Sequence, residues 1–337
     1  MHKETESVKA LVSLGQFLTN YEPQKKGYEA LDSILSQANA ANGWFSTTNL
    51  QHALKTWGDT LSSENVTRWL KAYPLKQPKS PKTIGLVLAG NIPLVGFHDL
   101  LCVWVSGHQA QIKVSSKDNI LLPYIAQKLE EFGGKTCFQF QDKPLENVAA
   151  IVATGSNNAA RYFEHYFAKV PHIIRKNRNG IAVLTGEETK EELEGLGQDI
   201  LQHYGLGCRN VSKLLLPKGY DLNLIFGGLY PYASVLENAK YAHNYDYNKA
   251  VFLMSDFDFL ENGFFMLKQD QAIAAPIAVA YYEYYDHPEG LQDYLNRHQD
   301  EIQCVVGKDY IPFGQAQNPM LWEYADQVDT LQFLASL

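Results

Sequence analysis

The sequence predicts an α/β fold of two lobes, each with an open, mostly parallel sheet, and a helical N-terminal region. Three features predict it. From Lys82 onward, short apolar β-rich runs alternate with helix-like stretches, the pattern of β-α-β units. A second alternation begins after Gly180. Ahead of both, Val8, Leu11, Leu14 and Leu18 recur at helical spacing.

The elements follow in order. The helical region closes at 73–81, YPLKQPKSP, where three prolines and two lysines in nine residues read as a linker or turn. TIGLVLAG then reads as a buried strand, followed by a helix opened by Pro93, where proline costs little because the first helical amide has no partner. Next come a strand in QAQIKVSS, a helix over about 119–132, strands in TCFQF and VAAIVAT, a helix over 158–169 and a strand in GIAVLTG. The second lobe reads as a helix over 187–204, a strand in KLLLP, and strands near AVFLMS, GFFMLK and IAVAYY. A short helix and a closing segment follow Pro319. The expected division is a helical region 1–80, an α/β domain 81–180, a second α/β domain 181–319 that carries Cys208, and a closing segment 320–337.

Composition narrows the function. With 337 residues and 45% hydrophobic content the chain can bury two cores. Lys and Arg number 29 against 37 Asp and Glu, a net charge of -8, which argues against a general attraction to nucleic acid. Cys102, Cys137, Cys208 and Cys304 form neither a CxxC pair nor a Cys/His cluster, so neither a metal site nor a disulfide framework is expected. The opening MHKETESVKALVSLGQFL has no long apolar core and no small-residue cleavage site; no signal peptide is expected, and a cytoplasmic location follows. The apolar run 84–107 is interrupted by Asn91, Pro93, His98 and Asp99, each costly in lipid, so no transmembrane segment is expected.

Four places offer chemistry. A polar side chain at the end of a parallel strand is displayed in the crevice where ligands bind. Asn91 is therefore an oxyanion donor or, alternatively, a cap for the following helix. Lys113, with Ser115 and Ser116 at the end of the next strand, either holds a ribose or phosphate or is a snorkelling or paired lysine. Thr154, Gly155 and Ser156 stand at a helix start, where free amides and hydroxyls favour anions and where Ser156 is equally a helix cap. In HYGLGCRN, Cys208 follows Gly205 and Gly207 and stands beside Arg209, loop surroundings in which a thiolate is reachable and stabilised. Cys102, Cys137 and Cys304 sit in apolar runs as small hydrophobes. His203 and His172 are candidate bases or structural residues, and Arg175, Lys176 and Arg178 either meet phosphates or form a solvated charged turn.

Together these residues resemble the bacterial long-chain acyl-CoA reductases of the LuxC type, a branch of the aldehyde dehydrogenase superfamily. The resemblance runs from about Lys82 to the C-terminus, through GNIPLVGFHDLLCVWVSGH, IKVSSKDNILLP, ATGSNNAARYF, GCRNVSK and IPFGQAQNP. It implies an aldehyde dehydrogenase-like fold. It further implies that Cys208 is the nucleophile, that Asn91 and the Cys208 amide form the oxyanion hole, and that Lys113 holds the adenosine ribose. Ser116 falls where a ribose-binding glutamate often sits; an uncharged serine tolerates a 2′-phosphate, so NADPH is the expected cofactor, with NADH possible. Thr154, Gly155 and Ser156 match the segment beside the pyrophosphate.

Two departures from the superfamily stand out. Residues 170–184 contain no Asp or Glu where hydrolytic relatives keep a water-activating glutamate. AIAAPIAV lacks the glutamate that grips the nicotinamide ribose in many relatives. The resemblance thus implies reduction of a fatty acyl-CoA, or another acyl thioester, to the fatty aldehyde through a cysteine-bound acyl-enzyme, with a homo-oligomeric assembly. The alternatives are an aldehyde-oxidising dehydrogenase and a non-catalytic acyl-binding subunit.

Overall fold

The computed structural model describes residues 6–74, 78 and 80–337. Four of the nine positions of the expected linker, and the first five residues of the N-terminal segment, lie outside the described residues. The chain forms two compact units: one from the described residues up to Lys176 together with Met320–Leu337, the other Asn177–Pro319.

The first unit opens with α1 (Glu6–Thr19), α2 (Glu29–Ala41), α3 (Thr47–Thr60) and α4 (Ser63–Lys71). Ser46 and Ser62 start α3 and α4 by accepting the amides of Asn49 and Asn65, which supplies partners for first-turn N–H groups. The helices do not stand apart from the sheet. Leu11, Leu14, Leu31 and Trp69 share one hydrophobic core with Leu86, Leu100, Trp104 and Leu122, so their apolar stripes are covered by the α/β portion.

That portion runs β1 (Thr83–Val87), α5 (Phe97–Ser106), β2 (Gln109–Lys113), α6 (Leu121–Gly133), β3 (Phe138–Phe140), β4 (Ala150–Thr154), α7 (Asn157–Tyr166) and β5 (His172–Arg175). The sheet is parallel throughout, in the order β3-β2-β1-β4-β5. The apolar run 84–107 becomes a strand, a turn and a ten-residue helix buried almost all round, as expected of a core helix. No helix among the described residues is long and apolar enough to cross a membrane.

One helix start differs from expectation. Pro93 does not open α5, which begins at Phe97 behind Gly96. Leu94 between them is left-handed, with φ 59°, and a left-handed residue cannot be propagated into a right-handed helix.

The second unit holds β6 (Asn179–Val183), α8 (Lys190–Leu201), β7 (Val211–Pro217), α9 (Leu222–Leu229), α10 (Ala239–Met254), β8 (Leu260–Glu261), β9 (Met266–Gln269), β10 (Val279–Tyr285), α11 (Pro288–Arg297) and β11 (Ile302–Val306). Its sheet has the order β11-β6-β7-β10-β9-β8 and only the β8–β9 pair is antiparallel. The strand expected near AVFLMS is the last turn and a half of α10. Asn238 accepts the amides of Lys240 and Tyr241 to start that helix, and Tyr241, Tyr245, Asn248 and Phe252 line its buried side at helical spacing. A six-residue apolar run has no period of its own, so the upstream cap decides. The chain then returns to the first unit with α12 (Thr330–Ala335), burying Leu331 and Leu334.

Candidate active site

In the first unit β1 lies between β2 and β4, with Val87 opposite Lys113 on one side and Ala153 on the other. The chain winds outward through β2 and β3, then returns to the far side of β1 for β4 and β5. Winding therefore reverses between β1 and β4, and loops leaving the strand ends diverge there to leave a crevice for ligands. Gly90–Asn91, Lys113–Ser116 and Thr154–Ser156 all lie at or beyond the C-terminal ends of these three neighbouring strands.

Asn91 does not cap α5, because Gly96 holds the cap position. It sits half-buried on the turn leaving β1. Lys113 and Ser116 are exposed and Ser115 is half-buried. The Ser115 hydroxyl accepts the Lys117 amide at 3.3 Å, and its carbonyl accepts the Asp118 amide at 3.0 Å, so the chain turns tightly after β2. Asn42, the buried residue that ends α2, braces that turn: its side-chain amide donates to the Lys117 carbonyl at 3.1 Å. Ser156 caps α7 by accepting the Ala159 amide at 3.3 Å. Gly155 has a packing reason to lack a side chain, since a Cβ would come 2.9 Å from Ala159 Cβ and 3.0 Å from the Phe163 ring.

Sequence reading missed the residue that joins two of these segments. Asp118 is buried, and its carboxylate accepts the Leu94 amide at 2.9 Å and the Leu122 amide at 3.3 Å. Burial pushes its pKa up to about 7, against the two amides that favour the charged form. Its position in SSKDN, three residues before a helix, signals only a cap.

In the second unit Cys208 lies on the turn between α8 and β7, where the Asn210 main-chain amide donates to the Gly207 carbonyl at 3.0 Å. Of the four cysteines it is the one that is not buried. His203, Tyr204 and Gly205 just before it have φ of 53°, 58° and 75°, three consecutive left-handed residues that end the helix abruptly. Asn210 holds the turn. Its side-chain amide donates to the carbonyls of Asp199, Ile200 and Gln202, and its side-chain oxygen accepts the Gly207 amide at 2.7 Å.

The IPFGQAQ segment braces the same turn. The buried Asp199 carboxylate accepts the amides of Gly314 at 2.7 Å and Ala316 at 2.9 Å, and Arg209 Nε donates to the Ala316 carbonyl. Burial pushes Asp199 up to about 6, while those amides and Arg209 pull the other way. Asp199 and Asn210 are thus two further residues that motif reading did not single out.

The remaining candidates separate clearly. Burial pushes the Cys102 thiol well above its ordinary range and the Cys137 thiol to about 12, and Cys137 Sγ donates to the His108 carbonyl at 3.2 Å. Cys304 is buried with its sulfur 3.6 Å from the Arg209 carbonyl. His203 is buried, whereas His172 is exposed beside the Val170 carbonyl. Arg175 is not displayed to phosphates: it is buried in an ion pair with Asp99. Lys176 pairs with Glu164 at 2.9 Å, and Arg178 donates to the carbonyls of Gln299 and Ile302. Among the described residues no group of His, Cys, Asp and Glu is arranged to hold a metal ion.

No protein-family model and no curated protein matches the sequence. Solved structures do match. Aldehyde dehydrogenase 21 from Physcomitrella patens, in complex with the reaction product succinate, superposes with a TM-score of 0.63 over 90% of this chain and 73% of its own, at 13% identity. An aldehyde dehydrogenase from Bacillus cereus, in complex with NAD+, gives 0.62 over 90% of this chain and 71% of its own, at 12% identity. The chain has the aldehyde dehydrogenase fold. A further NAD+ complex, an aldehyde dehydrogenase from Mycobacterium tuberculosis, gives a TM-score of 0.61 at 11% identity, covering 90% of this chain and 73% of its own. Identities this low carry the fold and leave the chemistry to the residues.

Proposed function

We propose that the chain is an NAD(P)H-dependent reductase of acyl thioesters, acting on fatty acyl-CoA through an acyl-enzyme on Cys208. The observation that carries the reading is Cys208 itself: the cysteine that is not buried, on a turn fixed by Asn210, Asp199 and Arg209 within an aldehyde dehydrogenase fold. The NAD+ complexes among the structural neighbours support a nicotinamide cofactor.

The residues at the strand ends of the first unit suit such a cofactor. The exposed donors are the ammonium groups of Lys113 and Lys117 and the Ser116 hydroxyl, with half-buried Ser115, while the carboxylate of Asp118 is buried on main-chain amides. Phosphates therefore meet no exposed acid among 113–118. Lys113, Ser115 and Ser116 would hold the ribose end and Thr154, Gly155 and Ser156 the pyrophosphate. An uncharged Ser116 accommodates NADPH and leaves NADH possible. A reduced nicotinamide held there would supply the hydride equivalent that takes the acyl group to the aldehyde level.

The chain's own part is acyl transfer. Cys208 thiolate attacks the thioester carbonyl, Asn91 and the Cys208 amide donate to the developing oxyanion, and the bond to the coenzyme A sulfur breaks as the enzyme thioester forms. After reduction the thiohemiacetal on Cys208 collapses, releasing aldehyde and returning the sulfur as thiol. The absence of Asp and Glu from 170–184 favours this course over oxidation to the acid, because it leaves no carboxylate there to activate water against the acyl-enzyme.

Intact-mass spectrometry after mixing with an acyl-CoA and no nicotinamide tests the reading. An acyl adduct that peptide mapping assigns to Cys208 is expected. An adduct on another residue, or none, removes it.

A further inference from the structure

We propose that Asp118 is a positioning residue for Asn91, fixing the turn that carries Asn91 to the segment that follows Lys113. The inference rests on the acyl-transfer reading above, in which Asn91 is the oxyanion donor.

The two segments interlock at close range. Asp118 is 2% exposed and uses both carboxylate oxygens on main-chain amides, Leu94 at 2.9 Å and Leu122 at 3.3 Å. A helix cap for α6 needs only the second of these. The first reaches 24 residues back along the chain, into the turn that begins at Asn91. The residue it grips is Leu94, buried and left-handed at φ 59°, a conformation a leucine keeps only where its surroundings impose it. From the other side, Gly90 lies so close to the same segment that a Cβ would come 2.8 Å from Ser115 Cβ and 3.1 Å from the Asp118 amide. Asn91 is thus flanked by Gly90 and Leu94, each held against 115–118.

A buried carboxylate with no cation is costly to desolvate, and no ion pair forms on Asp118 among the described residues. What it supplies in return is location. Asp118 sits five residues beyond Lys113, so one carboxylate links the oxyanion donor to the strand end assigned to the cofactor ribose. The Asn91 turn and the Lys113–Ser116 segment then shift together, and an oxyanion donor displaced by an ångström loses much of its effect.

The test follows adduct formation on Cys208 by rapid quench and mass spectrometry, with decanoyl-CoA as probe and no nicotinamide. In Asp118→Asn the acylation rate at saturating decanoyl-CoA should fall at least tenfold, with half-saturation within twofold of the parent and unchanged alkylation of Cys208 by iodoacetamide. The double variant Asn91→Ala/Asp118→Asn should be no slower than Asn91→Ala alone, since Asp118 acts through Asn91. A parental acylation rate, a parallel loss of alkylation, or losses that multiply in the double variant overturns the proposal. Asp118→Ser carries the same comparison if Asp118→Asn loses its near-UV circular dichroism, and collapse of both assigns Asp118 to folding alone and rejects positioning. A parent with no adduct on Cys208 rejects the acyl-transfer reading itself and this inference with it; an acylating parent with indifferent Asp118 variants rejects only the inference.

Discussion

Arg175 at the end of β5 meets Asp99 in the first turn of α5 at 2.7 Å, with side chains 6% and 5% exposed. The second guanidinium nitrogen donates to the Thr330 hydroxyl at 2.6 Å. Removing one partner leaves the other charge buried and unpaired, so Asp99→Ala should destabilise the first unit by about 3–5 kcal/mol. Urea unfolding followed by Trp fluorescence measures it, and a loss below about 1 kcal/mol contradicts this account.

Cys208→Ala should abolish acyl adduct formation while leaving the melting temperature near the parental value, because the half-buried side chain contributes little to the core. Cys137→Ala should do the reverse. Its sulfur is buried and donates to a carbonyl, so acylation persists while stability falls by about 1 kcal/mol. Thermal melts and the mass assay separate the two.

Lys113→Ala should weaken binding of both nicotinamide cofactors, raising their Kd about tenfold, the loss of one charge-assisted hydrogen bond. Ser116→Glu should discriminate: NADPH weakens much more than NADH, because a carboxylate repels the 2′-phosphate. Fluorescence titration of the reduced nucleotides reads both. Equal losses in Ser116→Glu place the 2′-phosphate elsewhere.

Asp118 and Asp199, pushed up to about 7 and about 6, stand above their unfolded value of about 3.9. A raised carboxylate binds its proton more tightly when folded, so its contribution is greatest below pH about 4 and is lost as pH rises through the folded pKa. For Asp118 the span is on the order of 4 kcal/mol. Half-buried His52 and His98 and buried His108 are shifted down by desolvation and oppose this trend on acidification. Comparison with Asp118→Asn isolates the carboxylate: between pH 8 and pH 6 the parent should gain stability relative to the variant. A constant difference across that range refutes the assignment.

Gly195 on α8 faces the IPFGQAQ segment, and a Cβ there would come 2.8 Å from the Phe313 carbonyl carbon and 2.9 Å from its oxygen. Gly195→Ala should therefore cost about 1–3 kcal/mol and slow acylation by shifting the brace behind Cys208. Gly227 on α9 is the control. Nothing lies within 4 Å of its added Cβ, so Gly227→Ala should stabilise by about 0.5–1 kcal/mol without touching acylation.

Strand runs such as TIGLVLAG and VAAIVAT were legible in sequence because burial on both faces makes them continuously apolar. AVFLMS misled for the same reason: an apolar run that short is equally a helix end, and Asn238 settled it from twelve residues upstream. Lys113, Thr154 and Cys208 could be singled out because residue type and local spacing mark them. Asp118, Asp199 and Asn210 could not, because their partners are main-chain amides and carbonyls, Leu94 and Gly314 among them, and a backbone group leaves no letter in the sequence.

The segment from Met320 onward carries a delayed obligation. Tyr324 accepts the Trp69 indole at 2.7 Å, Thr330 meets Arg175, and Leu331 and Leu334 fill hydrocarbon around α5. The unit that begins first on the ribosome is therefore the one finished last: Asn177–Pro319 is fully synthesised while its predecessor still waits for eighteen residues. Tyr73, whose partner Asp329 lies 256 residues on, and Trp69, 255 residues ahead of Tyr324, must wait through almost the whole of synthesis for their hydrogen-bond partners.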